Sequence, residues 1–222
     1  MSTGQFRSVF DIIGPVMIGP SSSHTAGAAR IGKIIREIFG ELPEQVDILL
    51  YESFAKTYRG HGTDIALVGG LLGMEPDDPR LSSSLKLAHE AGIEVAFVPK
   101  KEQADHPNQV TMRLIKGDRK LSVTGISIGG GNIQITEING FKIALNAGVP
   151  TFIIVHKDIT GAVANVTRIF QEQNINIAIM NVTRENKGGN AMMVIEVDSP
   201  TADSCIPELE QLSEIQNVSF FN

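Results

Sequence analysis

A chain of 222 residues is long enough for one large domain or two modest ones, and 42% hydrophobic with 20% charged residues is an ordinary globular balance. A net charge of −6 and a pI of about 5.4 argue against the basic surface that nucleic acids and anionic membranes attract. The longest apolar runs, such as residues 152–155, are far shorter than the roughly 20 residues that cross a bilayer. The N-terminus lacks the apolar segment of a secretory signal, so we expect a cytoplasmic protein with neither nucleic-acid nor membrane partners.

The single cysteine, Cys205, cannot form an intrachain disulfide. One thiolate is also too few to ligate an iron–sulfur cluster or a structural zinc ion. Any such centre would therefore need ligands from another chain.

Residues 5–18 combine apolar side chains with a Gly-Pro pair and predict a short helix or turn. The serine loop, residues 19–27 with the sequence GPSSSHTAG, follows it. Isoleucines spaced i, i+3, i+4 and i+7 from Ile31 to Ile38 lie on one helical face, and Gly40 is a natural stop. The pattern predicts a helix that begins near Ser22 or Ser23.

The serine loop places several polar side chains at the positive end of that helix. One serine is enough for an N-cap, so the additional hydroxyls indicate a pocket for a carboxylate or phosphate. The helix dipole disfavours imidazolium, which predicts a neutral His24. The alternative is a polar turn with a structural histidine. The predicted hydrogen-bond donors are Ser21, Ser22, Ser23 and Thr25.

A second histidine, His61, stands between two glycines after a predicted strand over residues 46–51. A helix over residues 65–72 follows, with Thr63 or Asp64 as its cap. His61 therefore also precedes a helix, although a plain surface histidine is the alternative. Further along the chain we expect a helix over residues 80–91 and a strand over residues 93–98.

Alternating apolar residues predict two hairpins after residue 109, the second closed by Asn139-Gly140. Between them lies a glycine-rich segment, which is either a bulge or a place where a ligand comes close. No Gly-Lys-Ser/Thr follows it, so a nucleotide P-loop is rejected. The candidate binding residues here are Gly129, Gly130, Gly131 and Asn132.

The best domain boundary is near Pro150, and the predicted domains are residues 1–148 and 149–222. Beyond the boundary the elements follow the order β-α-β-β-α-β, the ferredoxin-like arrangement, with the second helix over about residues 202–213. A domain of that size has a limited core, so pairing with a second copy is expected. The fold class is α/β (α+β).

Three blocks of the chain resemble the β chain of bacterial iron–sulfur L-serine dehydratases. They are the segment from Ser8 to Gly32 that contains the serine loop, YRGHGTD at residues 58–64, and SIGGG at residues 127–131. The first domain is also similar to the substrate-anchoring regulatory domain of some phosphoglycerate dehydrogenases. Residues 151–222 resemble an amino-acid-sensing ACT domain, although Ile159-Thr160 replaces a commoner proline.

The resemblance implies conversion of L-serine to pyruvate and ammonia. It also implies a [4Fe–4S] cluster that a partner α chain ligates, with no metal site in this chain. His61, the preferred base, and His24 would line a shared active site. Pairing through the ACT domain would give an oligomer. Its predicted effector site comprises Asp158, Gly161 and Ala162.

Two alternatives stay open. The chain could be a regulatory subunit that senses an amino acid or anion and carries no catalytic residues. A pyridoxal-phosphate enzyme would need a Schiff-base lysine, and neither Lys33 nor Lys56 has a suitable context, so pyridoxal phosphate is not expected.

Overall fold

The computed structural model describes residues 16–146, 148–200 and 202–221. Its contacts divide the chain into two compact units, Met1–Thr136 and Glu137–Asn222. The helix or turn predicted for residues 5–18 lies almost wholly outside the described residues. No helix in the described part of the chain is long and apolar enough to span a membrane.

The first unit contains helices and one mixed sheet. Its elements in chain order are a π-helical turn (Ser22–Ala26), α1 (Gly27–Phe39), β1 (Gln45–Leu50), α2 (Glu52–Thr57), α3 (Thr63–Leu71), a 3₁₀ helix (Pro79–Ser83), α4 (Ser84–Glu90), β2 (Glu94–Pro99), β3 (Gln109–Lys116), β4 (Arg119–Gly129) and β5 (Asn132–Ile138). The strand β6 (Phe141–Asn146) continues the sheet, whose order is β2-β1-β3-β4-β5-β6. β1 runs parallel to β2 and antiparallel to β3. The mixed sheet and its helices confirm the predicted α/β class.

The first helix begins where the sequence predicts, but its first turn is π-helical. Ser21 is the N-cap, and the wider turn is closed by the amide of Gly27, which donates to the carbonyl of Ser22. Single π turns inside α-helices are rare and frequently occur at functional sites. The sequence analysis predicted no helix over residues 52–57, which form α2. The cap of α3 is Gly62, at φ 67°, and not the side chain of Thr63 or Asp64.

α1 and α3 pack with their backbones in contact. A Cβ atom at Gly70 would overlap the carbonyl oxygen of Ala29, and one at Gly32 would overlap the carbonyl oxygen of Leu67. Gly27 is also needed for close packing, because a Cβ atom there would overlap the hydroxyl of Ser127 on β4. The glycines therefore permit a close crossing that holds the starts of α1 and α3 side by side.

The glycine-rich segment is the turn between β4 and β5. Gly129, Gly130 and Gly131 have φ values of 101°, 61° and 80°, which L side chains rarely adopt. Three consecutive residues with positive φ explain the glycines without any ligand.

The second unit has the predicted β-α-β-β-α-β order. Its further elements are β7 (Thr151–Lys157), α5 (Ala162–Glu172), β8 (Ile177–Arg184), β9 (Asn190–Val197), a 3₁₀ helix (Ala202–Cys205), α6 (Ile206–Leu209) and β10 (Ile215–Phe221). The sheet order is β10-β7-β9-β8, and neighbouring strands are antiparallel. This order confirms the ferredoxin-like fold.

The core of this unit lies between the sheet and its helices. The rings of Phe152 on β7 and Phe170 on α5 are 5.0 Å apart, and both side chains are fully buried. Burial of an aromatic side chain of this size contributes about 2–3 kcal/mol. The second predicted helix is wrong in length: residues 202–209 form a 3₁₀ helix followed by one α turn. Pro207 has no amide hydrogen for the carbonyl of Asp203, which prevents one continuous α-helix.

Candidate active site

His24 occupies the π-helical turn at the start of α1. Its amide donates to the hydroxyl of Ser21 (3.1 Å), and its ring lies edge-on to Phe54, with centroids 5.3 Å apart. The ring atom Nδ1 is 3.3 Å from Ser21 Oγ, and Nε2 is 2.9 Å from Ser53 Oγ. Both ring nitrogens are therefore engaged, and the imidazole is held in one orientation.

His61 is fixed by the turn that joins α2 to α3. Its amide donates to the carbonyl of Thr57 (3.0 Å), and its own carbonyl accepts the hydroxyl of Thr25 (3.1 Å). Gly62 follows in the left-handed region. Within the described residues no hydrogen bond engages the His61 ring, and its Nδ1 is buried without a partner. The Thr25 bond ties this turn directly to the serine loop.

The two imidazoles meet. Their ring centroids are 4.9 Å apart, and the ring planes are nearly perpendicular, at 88°. The prediction that histidines from two separate helix starts lie together is confirmed.

His24 is held in its neutral form. Burial, and after it the neighbouring charge of His61, lowers the pKa of His24 below its ordinary value of 6.5. The direction is the one that the helix dipole predicts, although burial and His61 are the causes here. A neutral imidazole at pH 7 can accept or share a proton, which an imidazolium cannot.

The four predicted hydroxyl donors have different surroundings. Thr25 is buried, and its hydroxyl hydrogen is committed to His61. Ser21 accepts the amide of His24, which leaves its hydroxyl close to the ring. Ser22 and Ser23 are half-buried, and in the described part of the chain their hydroxyls make no hydrogen bond. These two are the serine-loop hydroxyls that remain available to a ligand.

Ser53 was missed by the sequence analysis. It lies in α2, directly after β1, and its hydroxyl contacts His24. The available signal was a polar residue just after a buried strand, where functional side chains commonly converge.

The other predicted binding segment, residues 129–132, contacts α1 at a different point. The guanidinium of Arg30 donates to the carbonyl of Gly131 (2.9 Å), and Asn132 is exposed. The predicted role of this segment in substrate binding remains a prediction.

The predicted effector residues surround the turn after β7. Asp158 accepts the amide of Gly188 (3.0 Å) and contacts Arg184 (3.5 Å), and these interactions lower the pKa of its carboxyl group. Gly161, at φ 95°, is the N-cap of α5, and the first helical residue, Ala162, is buried. The carboxylate thus already has partners from β8 and from the turn between β8 and β9, and effector binding by these residues remains a prediction.

The residues described here do not fit an iron–sulfur cluster. Among residues 16–146, 148–200 and 202–221 no group of three or more His, Cys, Asp or Glu side chains could hold a metal ion. Cys205 is buried, and burial raises the pKa of its thiol to about 11, so the reactive thiolate is disfavoured. A cluster would need ligands from another source.

Three buried polar atoms in the first unit lack a partner in the described residues. They are Nδ1 of His61, Oγ1 of Thr63 and Oγ of Ser127. Buried polar atoms almost always have hydrogen bonds, and a ligand or a water molecule is a common reason for an exception. His61 and Thr63 both lie at the start of α3, next to the paired histidines.

Comparison with known proteins decides the family. The family model described as "Serine dehydratase beta chain" matches residues 8–137, and the "AHAS small subunit-like ACT domain" matches residues 152–219. The chain belongs to the serine dehydratase β-chain family. The second match identifies the ferredoxin-like unit as an ACT domain. Both histidines of the site lie within the first match.

The chain covers different shares of the proteins to which it is similar. It is 46% identical to the "Probable L-serine dehydratase, beta chain" of Bacillus subtilis, over 97% of this chain and 98% of that protein. It is 35% identical to the "L-serine dehydratase TdcG" of Escherichia coli, over 64% of this chain and 37% of that protein. It is also 30% identical to the "D-3-phosphoglycerate dehydrogenase" of Bacillus subtilis, over 88% of this chain and 37% of that protein.

Proposed function

We propose that this chain is the β subunit of an iron–sulfur L-serine dehydratase that converts L-serine to pyruvate and ammonia. The observation that carries the proposal is the pair of imidazoles, 4.9 Å apart, in which His24 is fully hydrogen-bonded and the His61 ring is not. Membership of the serine dehydratase β-chain family supports the substrate class.

In this reaction His61 is the base. The His61 ring makes no hydrogen bond among the described residues and can accept the Cα proton of L-serine, whereas both nitrogens of His24 are already occupied. The loss of that proton and of the β-hydroxyl group yields water and aminoacrylate. Aminoacrylate then tautomerises to an imine, which hydrolyses to pyruvate and ammonia.

His24 limits the charge at the site. Because its ring stays neutral, it does not repel the proton that His61 receives. The hydroxyls of Ser22 and Ser23, which make no hydrogen bond among the described residues, would bind the substrate carboxylate at the positive end of the helix.

The active site is completed by an α chain, which also ligates the [4Fe–4S] cluster. This part of the proposal is supported by the single cysteine, by the β-chain relatives, and by the match of this chain to only 37% of the longer dehydratase from Escherichia coli. Because the described residues lack a suitable ligand set, no step assigned to this chain involves the cluster. We also propose that the ACT domain pairs with a second copy of itself.

A second candidate function is regulatory. The match to a phosphoglycerate dehydrogenase supports a subunit that binds a small acid through the serine loop and carries out no chemistry. In that case the histidines would be ligand-binding groups.

Turnover with and without the partner distinguishes the two functions. The full chain is mixed with a serine dehydratase α chain containing its cluster, and pyruvate formation from L-serine is measured for the mixture and for each chain alone. The dehydratase proposal predicts turnover only in the mixture. If the α chain turns over L-serine equally well alone, while the isolated full chain binds a small acid saturably, the regulatory function is correct.

A further inference from the structure

The shorter of the two hydrogen bonds to the ring of His24 is made by Ser53, a residue to which no role has been assigned. Ser53 Oγ lies 2.9 Å from Nε2 of His24, closer than Ser21 Oγ lies to Nδ1 of the same ring (3.3 Å). Ser21 also accepts the His24 amide, so its oxygen is shared between two groups. Ser53 is therefore the stronger of the two side-chain restraints on the ring.

The backbone around Ser53 is held from several directions. Its amide donates to the carbonyl of Pro107 (2.9 Å), and its carbonyl accepts the hydroxyl of Thr57 (2.8 Å). Phe54, the next residue, is fully buried and packs against the ring of His24. The hydroxyl of Ser53 is thus presented to His24 from a rigid position.

The connection between β1 and α2 is strained at Glu52. This residue has φ 44°, a left-handed conformation that costs a non-glycine residue about 1 kcal/mol or more. Such conformations persist when the surrounding structure fixes them, and they cluster at functional sites. Tyr51, which follows β1, is the N-cap of α2. The conformation of Glu52 starts the helix immediately after this residue and so brings Ser53 to the site.

A hydroxyl is the partner that suits a neutral imidazole. It can donate to an unprotonated ring nitrogen or accept from a protonated one, whereas a carboxylate would favour the imidazolium. Burial and the charge of His61 already oppose protonation of His24. A neutral partner at Nε2 keeps the ring oriented without reversing that preference.

We infer that Ser53 is a positioning residue, which holds the neutral imidazole of His24 in one orientation beside His61. The kinetic consequence rests on the proposed function. The effect on the ring of His24 does not.

The first test is independent of catalysis. The full chain, labelled with ¹⁵N, is examined by long-range imidazole NMR at neutral pH, and His24 is assigned by the loss of its signals in His24→Gln. In Ser53→Ala the shift of Nε2 should move from its native value, because that nitrogen loses its hydrogen-bond partner. Ser53→Thr, which keeps the hydroxyl, and the exposed control Ser82→Ala should keep the native shifts.

The second test uses the complex with the α chain. Loss of one hydrogen bond to a neutral partner is expected to lower kcat about tenfold with little change in KM. Ser53→Thr should restore most of the rate. If Ser53→Ala does not fold, Ser53→Cys replaces it, because it keeps the volume and weakens the hydrogen bond.

Native His24 shifts in the Ser53→Ala or Ser53→Cys chain would overturn the inference. An absence of serine turnover in the native complex would overturn the proposed function instead, and the NMR result would still decide the role of Ser53.

Discussion

The two site histidines differ in how their rings are held. The His24 ring has a hydroxyl at each nitrogen, whereas the His61 ring has no hydrogen bond among the described residues. Their convergence was expected from the family resemblance, because each histidine lies in a matching block and precedes a helix. The contact with Ser53 was not predictable, because it depends on a left-handed residue, Glu52, which no sequence rule places there.

The lowered pKa of His24 links this residue to stability. Because the folded chain binds its proton less readily than the unfolded chain, stability is lost as the pH falls below 6.5. We therefore expect the urea midpoint of the full chain to fall between about pH 7.5 and about pH 5.5, and to fall less in His24→Gln.

The pKa of His106 is also lowered by burial. Since His106 is present in both proteins, the difference between their two pH profiles isolates His24. Equal losses of stability in the native chain and in His24→Gln would contradict this assignment.

Among the elements, the crossing of α1 and α3 sets the position of both histidines. A methyl group at Gly70 must displace the backbone of Ala29, so Gly70→Ala is expected to lower the free energy of unfolding by about 3 kcal/mol. Urea unfolding of the full chain measures this loss.

Gly60→Ala is the control for that substitution. The nearest atom to a Cβ at Gly60 is 3.7 Å away, so the change in the free energy of unfolding should stay within about 0.5 kcal/mol. A Gly70→Ala chain as stable as Gly60→Ala would show that the helices do not need this close approach.

Elements with strong periodicity were predicted well, and short ones were not. The isoleucine face of α1 and the alternation in β3 and β4 follow directly from side-chain spacing. α2 has only six residues, too few to show a helical period, and it is stabilised by bonds to Pro107. The glycines of the β4–β5 turn have a conformational role that the sequence alone leaves open.

For the molecule as a whole, the ACT domain has an edge strand with exposed apolar side chains. β8 lies at one edge of the sheet, and Ile179 and Val182 on it are 47% and 48% exposed. An edge strand of this kind favours pairing with another copy. The order of the elements was predictable from the sequence, and pairing through the ACT domain stays a prediction.

We expect Val182→Lys to weaken pairing, because it places a charge in the proposed interface. Sedimentation of the full chain should change from a dimer to a monomer at concentrations where the native chain is paired. Gln171→Lys, at an exposed position of α5, should leave the dimer intact. A native chain that sediments as a monomer at every concentration would contradict pairing through the ACT domain.

The proposed activity of the paired histidines depends on the two residues themselves, on the crossing helices that hold them and on the partner chain. The most direct measurement is the steady-state rate of pyruvate formation from L-serine by the complex with the α chain, for His24→Asn, His61→Asn and the exposed control His89→Asn. We predict that kcat falls by at least about 100-fold in His61→Asn, since general base catalysis contributes that much, that it also falls in His24→Asn, which removes the neutral ring beside the base, and that the control stays within about twofold of the native rate. Near-native kcat in both site variants would contradict the catalytic role of the pair.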